Sequence, residues 1–141
     1  MKFKVSETRF SNSNVRKYYV DWEKPVKRGR HWGKRQFEVK KLLRKYWGDH
    51  IVLEEFIVPR SGGKSIDFLN LTTWEAVEVD GEAHIGFHDY LHGGSRLNYY
   101  NQKLRDHQKE QFCILNEISL IRVYPADPLT KKMLISKGLK I

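Results

Sequence analysis

Apolar residues recur at Val39, Leu42, Leu43 and Tyr46, the i, i+3, i+4, i+7 spacing of one helix face, and Gly48 follows as a stop. This predicts a helix over about 35–47. Three strand-like runs come next, Val52 to Val58, Ser65 to Leu71 and Trp74 to Asp80. They are split by Pro59-Arg60-Ser61-Gly62-Gly63 and by Thr72-Thr73, links short enough to require an antiparallel meander. A second helix, about 96–115, is marked by Leu97, Tyr100, Leu104, Phe112 and Leu115. Ile118 to Tyr124 reads as a fourth strand. Asp127-Pro128 reads as the N-cap and first-turn proline of a last helix that stops at Gly138. The segment Gly81 to Gly94, rich in Gly and His, reads as an irregular loop. Residues 1–33 show no sustained period, and Lys24 to His31 reads as a mobile basic loop.

The order helix, three strands, helix, strand, helix predicts an α/β fold: a mixed four-stranded β-sheet flanked by helices (αβββαβ). A basic N-terminal extension, residues 1–34, precedes the core of residues 35–141. At 141 residues, 40% hydrophobic and 13% aromatic, the chain has the apolar volume for one packed core. No apolar run approaches the roughly 18 residues of a membrane span, and the opening residues lack the apolar centre of a signal peptide. A soluble, intracellular protein with no membrane partner is expected. The single cysteine, Cys113, admits no internal disulfide and no Cys-based zinc cage.

Charge changes this picture from fold to function. Residues 1–48 hold 15 basic and 4 acidic side chains, net +11, while residues 49–141 hold 11 and 13, net −2. A basic excess interleaved with Tyr18, Tyr19, Trp22 and Trp32 suits contact with phosphates and stacking on bases. On charge alone this suits a nucleic acid, the alternative being a solvated basic surface with ordinary core aromatics; Lys27, Arg28, Arg30, Lys34 and Arg35 are the expected DNA-gripping residues, double-stranded DNA is the expected partner, and a homodimer is an allowed assembly.

The candidate chemistry lies in the acids. In Ala76 to Asp80 side chains alternate, so Glu78 and Asp80 share one sheet face. Asp67 sits in the apolar run Ile66-Asp67-Phe68-Leu69, where an unpaired acid costs several kcal/mol of desolvation. Convergence of these three oxygen donors suits a hard cation, Mg²⁺ or Mn²⁺. The competing reading is that each acid faces solvent or pairs with a nearby Lys or Arg. His84, His88 and His92 lack the helix and the cysteine that would support zinc, and Gly62-Gly63-Lys64-Ser65 reads as a hairpin turn, since a strand and not a helix follows it.

Ile66-Asp67-Phe68-Leu69, Val77-Glu78-Val79-Asp80-Gly81-Glu82-Ala83-His84, Asp106-His107-Gln108-Lys109 and Leu120-Ile121-Arg122-Val123 together resemble the PD-(D/E)XK nuclease superfamily. The likeness is to the branch with very-short-patch repair endonucleases and phage EDxHD homing endonucleases, and it covers about residues 36–125. It implies a restriction-endonuclease-like core and a Mg²⁺-dependent DNA endonuclease of phage or mobile-element type. It further implies Asp67 as a metal ligand, Glu78 or Asp80 completing the site, and His84 handling protons or orienting water. Glu38 would be the leading Glu of the EDxHD pattern and Asp106 its closing Asp. Asp80 stands where the superfamily places lysine, so Lys64 or Lys109 is the expected substitute. The alternative function is a nucleic-acid-binding module without turnover.

Overall fold

The computed structural model describes residues 1–25, 27–28, 31–80 and 96–141. Its centre is a four-stranded sheet in the order β5 (Val52–Ile57), β6 (Ser65–Asn70), β7 (Glu75–Val79), β8 (Ser119–Val123). The first three strands run antiparallel and β8 runs parallel to β7. A parallel neighbour needs a crossover, and α2 (Arg96–Leu115) lies in that connection. The sheet is therefore mixed, as the element order predicts. In the β5–β6 turn Gly62 and Gly63 take φ of +73° and +91°, a conformation open to glycine at little cost.

Helices cover both faces. Val39, Leu42, Leu43 and Trp47 of α1 (Lys34–Trp47) pack with Phe68, Val77, Ile121 and Val123, and with Met133 and Leu134 of α3 (Lys131–Ser136). On the opposite face Phe112 and Cys113 of α2 pack with Leu53, Phe56, Ile66, Leu69 and Ala76. Burial pushes the Cys113 thiol up to about 12, so it is an inert core group. No helix among the described residues is long and apolar enough to cross a membrane.

Two local expectations need correction. The N-cap of α3 is Thr130, whose Oγ1 accepts from Met133 N–H at 3.1 Å, and not Asp127. Asp127 instead accepts from Tyr124 N–H at 2.7 Å and pairs with Lys137 at 2.8 Å, so its carboxyl is held below the usual range. The N-terminal residues are not all irregular. Strands β1 (Lys2–Lys4) and β2 (Phe10–Asn12) form a hairpin, followed by a 3₁₀ turn (Val15–Tyr18). Phe3 is fully buried, with ring centroids 5.2 Å from Phe56 and 5.4 Å from Phe112. Within the expected basic loop, β3 (Lys27–Arg28) pairs antiparallel with β4 (His31–Trp32). Strands of two or three residues are too short to leave a period in the sequence.

Candidate active site

The sheet register sets three acids at one level. Glu54 faces Phe68 and Phe56 faces Ile66, which places Glu55 opposite Asp67. The pair Phe68↔Val77 puts Asp67 opposite Glu78, and Glu78 in turn faces Arg122. Backbone pairing between β6 and β7 stops one step short of this level, and Glu55 carries a left-handed φ of 52°. Side chains take over from the missing ladder. Asp67 N–H donates to Glu78 Oε1 at 3.0 Å, and Val79 N–H donates to Asp67 Oδ2 at 2.7 Å. Each carboxylate thus satisfies a backbone donor of the neighbouring strand, and both side chains are locked.

Burial and cations set the electrostatics. Asp67, Glu78 and Asp80 are 2%, 3% and 3% exposed, so none is a solvent-facing strand-end acid. Lys109 Nζ, from α2, lies 3.2 Å from Glu78 Oε2. Desolvation nevertheless dominates over that lysine, and Glu78 is held above the usual carboxylate range. Asp80 turns to Arg122, whose Nη1 is 3.4 Å from both its oxygens and whose Nη2 reaches Glu110 at 3.1 Å. Hence Glu78, not Asp80, interlocks with Asp67, a choice the alternation along β7 leaves open.

The other expected residues are placed as follows. Glu38 on α1 is half-buried and pairs with Arg35 at 3.7 Å. Arg35 Nη2 donates to the carbonyls of Tyr124, Pro125 and Asp127, so this guanidinium ties α1 to the end of β8 rather than lying open to DNA. Lys34 is exposed, Lys64 lies at the head of β6, and Asp106 lies on α2. Lys27 and Arg28 lie on β3. His84 and Arg30, with His88 and His92, fall outside the described residues.

Sequence reading missed two groups. Glu55 accepts from Gln36 Nε2 at 2.8 Å and from Ser65 Oγ at 3.0 Å, bonds that hold a backbone conformation costing about 1–2 kcal/mol. Lys40 is fully buried and pairs with Glu54 at 2.8 Å while donating to the Lys24 carbonyl. Burial raises the Glu54 carboxyl despite this lysine. The available signal was the doublet Glu54-Glu55 inside the apolar run Val52 to Ile57, since adjacent strand residues face opposite ways and cannot both reach the same solvent.

The donor chemistry of Asp67 and Glu78 suits a hard cation, because Mg²⁺ is held by one or two carboxylates, with water and phosphate oxygens completing its shell. Among the described residues no group of three or more His, Cys, Asp and Glu side chains is placed to hold a metal. The chain matches no family model, no curated protein and no solved structure.

Proposed function

We propose that the chain is a metal-dependent DNA endonuclease whose chemistry is carried by Asp67, Glu78 and Lys109. The observation that carries this reading is the interlock of two nearly fully buried carboxylates where the β6–β7 ladder opens, with a lysine beside them. Two acids kept at a desolvation cost and held in one geometry are an expensive way to build a core and a suitable way to build a hydrolytic site. Asp67 and Glu78 would hold Mg²⁺, which when bound supplies polarisation of the scissile phosphate and a more acidic water. Lys109 neutralises Glu78 in the resting site and stands ready to balance charge developing on the phosphate oxygens. The two backbone N–H bonds keep both carboxylates from swinging. The resemblance to the PD-(D/E)XK superfamily assigns the proton-handling step to His84.

The pairing of Glu78 with Lys109 and of Asp80 with Arg122 also favours a second reading, a nucleic-acid-binding module in which these ions are structural. Supercoiled plasmid separates the two. The wild-type chain with Mg²⁺ should nick or linearise it, and a pure binder would shift it in a gel and leave it intact. Asp67→Asn keeps an acceptor for Val79 N–H, so the variant should fold, bind DNA and fail to cleave. Wild-type cleavage by Asp67→Asn at saturating Mg²⁺ would refute the assignment.

A further inference from the structure

We propose that the outer face of the α1/α3 layer is a docking surface for the phosphate backbone of duplex DNA, separate from the cleavage site. The inference rests on the nuclease reading for its choice of polyanion. On α1 the positions of Lys34, Lys41 and Lys45 are 7 and 4 residues apart, so at 100° per residue they line up within about 40° of one another. They form a ridge about 16 Å long on the pole opposite the buried Val39, Leu43 and Trp47. Lys131 of α3 extends the surface, because its Nζ lies 5.6 Å from the centre of the Tyr46 ring on α1, and the exposed Lys132 follows it in the chain. Lys41 is likewise seated on a ring, 4.5 Å from the centre of Phe37.

These five lysines are exposed and form no ion pair among the described residues. The acids of the layer are already engaged, Glu38 with Arg35 and Asp127 with Lys137. Residues 34–47 hold six basic side chains against one acid, and residues 127–141 hold four against one. Uncompensated cations in a line repel one another, and a polyanion of regular charge spacing relieves that repulsion while releasing its own counterions. An anionic membrane fits less well. A surface-lying helix needs an apolar face for the bilayer, and the apolar face of α1 is consumed in the core.

Glu78 meets Lys109 of α2, which packs on the other side of the sheet from α1 and α3, so this surface anchors substrate and leaves the chemistry alone. The test is Lys41→Gln/Lys45→Gln/Lys131→Gln, with affinity for a short fluorescent duplex measured against salt in EDTA. A matched triple in the N-terminal segment, Lys2→Gln/Lys4→Gln/Lys17→Gln, controls for net charge. Loss of three phosphate contacts should lower the slope of log affinity against log salt by about 2.7, so that the affinity lost between 50 and 200 mM salt becomes about 40-fold smaller. An unchanged slope, or an equal fall in the control, overturns the proposal. So does a loss of binding to phosphatidylserine vesicles with duplex binding intact. Because EDTA removes cleavage from the measurement, a changed slope in a chain that never nicks plasmid refutes the nuclease reading alone, and nicking with an unchanged slope refutes this surface alone.

Discussion

Replacing Lys109 by methionine keeps most of the side-chain volume and deletes the ammonium 3.2 Å from Glu78 Oε2. The two side chains are 14% and 4% exposed, so solvent screens the pair little. At this distance and an effective dielectric of about 20 the attraction is about 5 kcal/mol, part of which offsets the cost of desolvating the lysine. Leaving one buried charge without its partner costs about 3–5 kcal/mol. We expect Lys109→Met to lose about 3 kcal/mol near pH 8, or about 6–12 °C in Tm for a domain of this size. The loss should depend on pH with a definite sign. Burial already holds Glu78 above the usual carboxylate range, and loss of Lys109 raises it further. A group harder to ionise in the folded state binds more protons there than in the unfolded chain. Its favourable contribution is complete below the unfolded value and is lost as pH rises through the folded value. The deficit of Lys109→Met should therefore be largest near pH 8 and shrink as pH is lowered toward about 5. Glu78→Gln in the same background removes the stranded charge and should recover most of the loss. Urea denaturation followed by tryptophan fluorescence, at both pH values and for both variants, makes the comparison. A variant as stable as the wild type near pH 8, or a deficit that does not change with pH, would show that Glu78 is not a buried anion supported by Lys109.

Three other outcomes follow from the packing and from the proposed chemistry. Phe3→Ala empties a ring site bounded by Phe56 and Phe112 and should cost about 3–5 kcal/mol in chemical denaturation, and deletion of residues 1–33 should destabilise the core too; a deletion variant as stable as the full chain would mean that Phe3 contributes nothing. His84→Ala should slow plasmid cleavage by about a hundred- to ten-thousand-fold with duplex affinity and the Mn²⁺ requirement unchanged, and a rate restored by added metal would instead make His84 a ligand.

The sequence by itself determined the elements of the core. The 3.6-residue stripe of α1, the short links of the meander and the apolar run of β8 are local signals, each written within one segment, and α1, β5, β6, β7, α2 and β8 appear where those signals lie. Asp67 was legible for a related reason, because an acid in an otherwise apolar strand conflicts with its surroundings on the strand alone. Phe3 was not legible: one aromatic in a three-residue strand has no period, and its burial depends on Phe56 and Phe112, more than 50 and 100 residues away. Glu55 was missed because its place opposite Asp67 is a property of register between two strands. Which of Glu78 and Asp80 interlocks with Asp67 was undecidable from alternation, which gives both the same face. Tertiary structure decided it through cations from distant elements, Lys109 on α2 and Arg122 on β8. Side-chain period belongs to one segment of chain, whereas the pairing of buried charges depends on which segments the sheet order and the α2 crossover bring together, and that is fixed only when the whole core has packed.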